Sequence, residues 1–124
     1  MPSTEVRIFA AAMTVETVHL VDDGLVHPHD GVTAVSSTVI AVAIMAAAVA
    51  LYPRLPGWAR AVVAGMFGLA GLVGGLDMHV IPALQHGASG SDHTGFGHAA
   101  AGAVLLAVAT VRALQPAAVN PQPS

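Results

Sequence analysis

The sequence of 124 residues contains no cysteine and no lysine, and only 9% of its residues are charged. The absence of cysteine excludes disulfides, thiolate metal ligands and thiol nucleophiles. The absence of lysine excludes a phosphate-binding loop that depends on that residue. The four arginines, with a formal net charge of −3, provide no basic face for a nucleic acid. The sequence therefore predicts no nucleic-acid partner.

Catalytic motifs are missing as well. Ser36, Ser37, Ser89 and Ser91 do not stand in the G-x-S-x-G pattern that exposes a nucleophilic serine. No histidine pair has the H-E-x-x-H spacing of a zinc hydrolase. The sequence therefore does not predict a self-sufficient enzyme.

Long apolar runs dominate what is present. Apolar residues make up 55% of the chain, against about 45–50% in soluble domains, and the mean hydropathy is +0.72. A helix needs about 20 mostly apolar residues to cross a bilayer. We predict an all-α, four-helix antiparallel transmembrane bundle (residues 1–114) in the cell membrane, followed by a disordered cytoplasmic tail (residues 115–124). The predicted spans cover about residues 8–26, 33–52, 57–80 and 95–113.

The charges predict the orientation of these spans. If the chain crosses four times, all four arginines lie on one side, and all five aspartates and seven histidines lie on the other. Arginine collects on the cytoplasmic side of membrane proteins, so both termini are predicted to be cytoplasmic. A three-span arrangement would separate Arg7 from the other arginines, and the sequence therefore favours four spans. Pro82 is expected to end or kink the third helix.

Small residues recur along the third span, at Gly65, Gly68, Gly71, Gly74 and Gly75. Small residues allow transmembrane helices to approach each other closely. Two interpretations stay open for this glycine stripe. It packs against the small residues of the fourth span, or part of it receives a helix from another subunit.

A polar stripe runs along the first span. Glu16, His19, Asp23 and His27 follow each other at spacings of three, four and four residues. At about 100° per residue they fall within an arc of about 80°. Charged groups inside a span are costly and usually face the bundle interior or a partner. Glu16 is the most informative of them because it lies deepest in the predicted span.

Histidines from distant parts of the sequence are expected to meet at the outer end of the bundle. The candidate metal ligands are His19, Asp23, His79, His93 and His98. Imidazole and carboxylate ligands without thiolates favour zinc or copper. A haem held by His19 with His79 or His98 is the alternative cofactor. A purely structural role, with hydrogen bonds to loops or contacts with a partner protein, is the third interpretation.

Two short stretches give the chain a resemblance to a known group of proteins. His19-Leu20-Val21-Asp22-Asp23 ends the first span, and Ser89-Gly90-Ser91-Asp92-His93-Thr94-Gly95 opens the fourth. Both resemble parts of the four-span membrane segment that precedes the hydrolase domain in some actinobacterial α/β-hydrolase fusions. The resemblance implies a membrane module that works alongside another protein, and it transfers no catalytic residue to this sequence.

These patterns together predict a small, non-catalytic accessory subunit of a larger membrane complex. Its expected partners are membrane lipid and other integral membrane subunits, or further copies of the same chain. The alternative function is that of a small transporter or proton-handling protein that uses Glu16 inside the membrane.

Overall fold

The computed structural model describes residues 1–28 and 33–115, which are almost entirely helical and contain no strand. The α-helices are α1 (Thr4–Val21), α2 (Thr33–Leu51), α3 (Gly57–Gly75), α4 (Ile81–His86) and α5 (Asp92–Leu114). A π-helical turn, Asp22–Val26, extends α1, and a second one, Leu76–Val80, joins α3 to α4. A 3-10 turn, Tyr52–Arg54, follows α2.

Three helical segments are long and apolar enough to cross a membrane, namely Val35–Arg54, Gly57–His86 and Asp92–Leu114. Over the described residues, this confirms the prediction of an all-helical fold with helices that are long and apolar enough to span a membrane, and their exposed apolar side chains are suited to contact lipid. The helix that corresponds to the first predicted span, α1, does not belong to this set. Four spans with cytoplasmic termini remain a prediction.

The third helical segment extends further than the sequence suggested. It continues through the π-helical turn into α4 and ends at His86 rather than near Val80. Pro82 lies in the first turn of α4, directly after the π-helical turn, and such a local π-helical adjustment accommodates a proline within a membrane helix. Pro82 therefore does not end the helical segment.

Backbone contact between α3 and α5 forms the tightest interface of the bundle. A Cβ atom on Gly68 would lie 2.7 Å from the amide nitrogen of Leu106, and one on Gly75 would lie 2.6 Å from that of Ala99. A Cβ atom on Gly102 of α5 would overlap the backbone of α3. Gly68, Gly71 and Gly75 of the glycine stripe are thus buried at the interface with α5 of the same chain, and Gly65 and Gly74 are half-buried.

The remaining long helices pack onto this pair in turn. α1 packs against α5, and α2 packs against α1. The aromatic rings of Phe9 and Tyr52 stack with their centroids 3.7 Å apart. Glu5 lies beside them, and its Oε2 is 3.9 Å from a guanidinium nitrogen of both Arg60 and Arg112. The start of α1, the end of α2, the start of α3 and the end of α5 therefore meet at one end, as an antiparallel arrangement requires.

Candidate functional site: a buried histidine centre

Three imidazole rings lie together in the half of the bundle away from the arginines. His19 of α1 lies between His79 of the second π-helical turn and His98 of α5, with ring centroids 4.5 Å and 4.6 Å away. His19 is 5% exposed and His79 is 3% exposed. We call these three residues, together with Glu16, the histidine centre.

Glu16 lies beneath the rings, one turn before His19 on α1, and is 3% exposed. Its Oε2 atom is 3.8 Å from Nδ1 of His98, which is beyond hydrogen-bonding distance. Oε1 of Glu16 and Nδ1 of His98 are buried and have no hydrogen-bond partner. Leaving such a group unsatisfied costs about 1–3 kcal/mol. The centre therefore has two unused hydrogen-bonding positions.

Hydrogen bonds on the outer side hold the ring of His19. Its Nδ1 atom is 3.0 Å from the Thr94 hydroxyl, and that hydroxyl faces acceptor oxygens of Asp22 at 2.5 Å and Ser91 at 3.0 Å. Because the single hydroxyl proton goes to one of these acceptors, His19 must donate its Nδ1–H to Thr94. The lone pair of neutral His19 is then on Nε2.

The ring of His79 is held in the same way. Its Nδ1 atom lies 3.1 Å from Oδ1 of Asp92, and a carboxylate can only accept, so the proton of neutral His79 is on Nδ1. Oδ2 of Asp92 in turn accepts a 3.0 Å hydrogen bond from the backbone N–H of Ser89. Metal-binding histidines commonly donate their second ring N–H to a carboxylate or carbonyl oxygen. His19 and His79 both have the tautomer that metal binding through Nε2 needs.

Glycines provide the space for these polar side chains. A Cβ atom on Gly71 would overlap the carboxylate of Glu16, and one on Gly95 would overlap the ring of His79. Alanine at either position would displace the polar group. The small residues of α3 and α5 therefore make room for the centre as well as for each other.

Asp23, His27 and His93, which the sequence analysis also singled out, are not part of the histidine centre. Asp23 accepts a 2.7 Å hydrogen bond from the hydroxyl of Ser91. His27 is exposed and pairs with Asp22 at 2.8 Å, and His93 is exposed and contacts the carbonyl oxygen of Gly90 at 3.3 Å. His29 and Asp30 lie outside the described residues.

The structure brings together only some of the predicted metal ligands. His19, His79 and His98 lie in one cluster, and His93 lies on the surface. Within residues 1–28 and 33–115, no group of three or more histidine and carboxylate side chains is arranged to hold a metal ion. A metal at this centre would require these side chains to move from the positions that they have in the structure.

The centre opens into a cavity of about 340 Å³. One wall is polar and contains the four residues of the centre and Asp23. The other walls are apolar and include Ile44 and Met45 of α2 and Phe67 of α3. All the long helices contribute to this cavity, so it belongs to the folded bundle rather than to any one helix.

Thr94 is a residue of the site that the sequence analysis did not identify. It links the ring of His19 to the carboxylate of Asp22. A signal was present, because Thr94 precedes His98 by four residues and therefore lies on the same face of α5. The same rule, applied to every polar residue near a buried histidine, would have found it.

Comparison with family models, curated proteins and solved structures finds no match for the chain. The resemblance to the membrane segment of the hydrolase fusions therefore stays an expectation from the two short stretches that carry it.

Proposed function

We propose that the chain is a small, non-catalytic accessory subunit of a larger membrane complex and that the histidine centre is its contribution. The burial of the centre supports this proposal, since Glu16 and His79 are each 3% exposed. Ionisable groups inside a membrane protein are expensive and usually functional. Apolar side chains at these positions would give a bundle of equal or greater stability. A bundle with a purely structural role would therefore gain no stability from the centre.

The proposed subunit crosses the cell membrane four times, with both termini in the cytoplasm. The charges of α1 are compatible with a fourth span, because its two glutamates do not face lipid. Glu16 is buried against α3 and α5, and Glu5 is paired at the arginine end of the bundle. Arg7 is exposed near the same end, where the headgroups and the cytoplasm would surround it.

Purification at native expression level in a mild detergent tests the accessory role. We expect the chain to migrate with a larger assembly and to separate from it in a harsh detergent. Recovery of a lone monomer under the mild condition would contradict the proposal. An assembly that contains only copies of this chain would identify a homo-oligomer instead of an accessory subunit.

A transition ion, zinc or copper, is the cofactor that we propose for the centre. The Nδ1 hydrogen bonds of His19 and His79 support it, because they fix the tautomers that leave Nε2 available. His98 would supply the third imidazole, and Glu16 or Asp23 would supply an oxygen. Haem between His19 and His79 or His98 is the alternative, and visible absorption of the purified protein distinguishes the two.

A proton-handling or transport role is the second candidate function. The observation that favours it is the buried carboxylate of Glu16, whose Oε1 atom has no hydrogen-bond partner. From Glu16 the chain of polar groups continues through His98 and His19 to Thr94 and Asp22 at the outer end. Glu16→Gln, which keeps the shape of the side chain and cannot exchange a proton, separates this role from the accessory one.

A further inference from the structure

Two methionines share the cavity of the histidine centre with its three imidazoles. Met45 of α2 and Met78 of the second π-helical turn both line that cavity. Histidine and carboxylate side chains alone are not arranged to hold a metal ion in the described residues. An ion at the centre therefore needs a further kind of ligand, and thioether sulfur is a kind that the cavity contains.

The Nε2 atoms of His19 and His79 are available to an ion in this cavity. The Nδ1 atoms of the two rings are engaged by Thr94 and Asp92, which leaves the lone pair of each neutral ring on Nε2. Neither Nε2 atom has a hydrogen bond in the described residues, and neither is among the polar atoms that are enclosed there without a partner. Because both residues line the cavity, each lone pair is open to it.

The carboxylates beside the cavity are less available than the imidazoles. Oε1 of Glu16 is enclosed and lies against α3 at Gly71. Asp23 accepts a 2.7 Å hydrogen bond from Ser91. Zinc sites in proteins use cysteine, histidine and carboxylate ligands, and this chain has no cysteine. The cavity therefore provides little to complete the coordination of a zinc ion.

The sulfur atoms of the two methionines are available. Sδ of Met45 lies 3.7 Å from the hydroxyl oxygen of Thr17, which lies 2.7 Å from the carbonyl oxygen of Met13. Because a thioether is a weak acceptor, the hydroxyl donates to the carbonyl and the sulfur keeps its lone pairs. Met45 is 6% exposed and Met78 is 63% exposed. Packing thus holds Met45 in place, whereas Met78 can turn towards the rings through its flexible side chain.

We propose that the histidine centre binds cuprous copper, Cu⁺, through Nε2 of His19 and His79 and the sulfur atoms of Met45 and Met78. Thioether sulfur is a soft ligand that suits Cu⁺, and imidazole also suits copper. The proposal rests on the transition ion proposed above for the centre. It goes further, because it names the ion and assigns two ligands that a zinc site would not use.

Titration of the purified protein with Cu⁺ tests the choice of ion. The titration is done without oxygen, in ascorbate, with bicinchoninate as the coloured competitor, and Zn²⁺ is titrated in parallel. We expect about one equivalent of Cu⁺, bound more tightly than Zn²⁺ by about tenfold or more.

Substitution of the methionines tests the sulfur ligands. Met45→Leu and Met78→Leu remove the sulfur and nearly conserve the volume of the side chain. Each should weaken Cu⁺ binding by about tenfold or more, because even the loss of a group that only orients a ligand costs about 10–100-fold in metal affinity. Binding of Zn²⁺ should stay within about twofold. Met66→Leu is the matched control, since Met66 is exposed on α3 and does not line this cavity, and its Cu⁺ affinity should stay within about twofold.

X-ray absorption at the copper edge separates loss of a ligand from loss of structure. The unmodified protein should show copper–sulfur scattering in addition to scattering from nitrogen. The double variant Met45→Leu with Met78→Leu should show nitrogen alone. Circular dichroism of the three single variants and the double variant shows whether they are folded.

The outcomes distinguish this proposal from the ones on which it rests. Unchanged Cu⁺ affinity in the methionine variants, with no copper–sulfur scattering, would overturn the sulfur ligands and leave an imidazole site. Binding of Zn²⁺ as tight as that of Cu⁺ would overturn the choice of ion, and the proposed transition-metal cofactor would stand. No uptake of either ion would overturn both. The accessory role is measured separately by co-purification and does not depend on any of these results.

Discussion

Tyr52 donates a 2.9 Å hydrogen bond to Oε1 of Glu5, a residue 47 positions earlier in the sequence. The bond joins the first turn of α1 to the turn that follows α2. Tyr52 is fully buried and its ring stacks on Phe9, so the hydroxyl has no access to water. This contact is a polar link between the start of α1 and the end of α2.

Removal of the Tyr52 hydroxyl should loosen this end of the bundle. Tyr52→Phe retains the stacking on Phe9 and leaves Glu5 without one donor, which should cost about 1–3 kcal/mol. Thermal unfolding in detergent measures the loss. Trp58→Phe is the control, because Trp58 is 74% exposed and its substitution should leave the unfolding temperature unchanged. Equal behaviour of the two variants would show that the Glu5 bond contributes nothing.

Alanine substitutions should separate the glycines that contact backbone from those that do not. In Gly102→Ala the new methyl group overlaps the backbone of Gly71 and Leu72, so we expect a loss of about 2 kcal/mol or more. In Gly65→Ala the nearest atom is the Cβ of Ala109 at 3.6 Å, an ordinary contact. There the better helix propensity of alanine should leave stability unchanged or slightly higher. A stable Gly102→Ala variant would contradict the observed α3–α5 distance.

Glu16 should be unnecessary for folding. The carboxyl group is buried and its Oε1 atom has no hydrogen bond. Glu16→Gln should therefore leave the free energy of unfolding unchanged or raise it by about 1 kcal/mol. Under the accessory role, Glu16→Gln should still co-purify with the complex and support its activity. Loss of activity with normal assembly would favour the proton-handling role, since glutamine keeps the shape and cannot exchange a proton.

Metal binding should depend on the buried histidines and not on the exposed one. Elemental analysis of the purified protein, before and after titration with zinc or copper, should give about one equivalent. The His79→Ala variant should lose most of the bound metal. The His93→Ala variant should retain the metal, because His93 lies on the surface. Binding should weaken at acidic pH, because protons compete with the metal for the ring nitrogens. Less than about a tenth of an equivalent in the unmodified protein would leave the centre without a metal.

The absence of cysteine makes the topology directly testable. Pro2→Cys and Ser124→Cys should resist a membrane-impermeant thiol reagent in intact cells, and Ala88→Cys should react. Ala88 is exposed in the turn between α4 and α5, at the end away from the arginines. Permeabilised cells, in which all three variants should react, are the control. Labelling of a terminus in intact cells would refute the proposed orientation.

The helices could be predicted from the sequence because each long apolar run leaves few alternatives to a buried or membrane helix. The glycine stripe likewise predicted a close helix contact, and its partner in the described structure is α5. It was harder to predict which histidines lie together, because that depends on how each helix is rotated about its axis. His93 and His98 are five residues apart, so they point about 140° away from each other, and only one of them can face His19. The hydrogen bonds of Thr94 and Asp92 depend on loop geometry that the sequence does not specify.

The backbone contact at Gly102 has a consequence for the chemistry at the other end of the same helical turn. His98 precedes Gly102 by four residues, so both lie on one face of α5. The missing side chain at 102 therefore sets how close α5, which carries His98, lies to α3, whose helical segment continues to His79. A methyl group there would widen the interval between these two helices and move the imidazoles of His79 and His98 apart, on either side of the ring of His19. A glycine with no functional group of its own thus controls the spacing of two histidines of the centre.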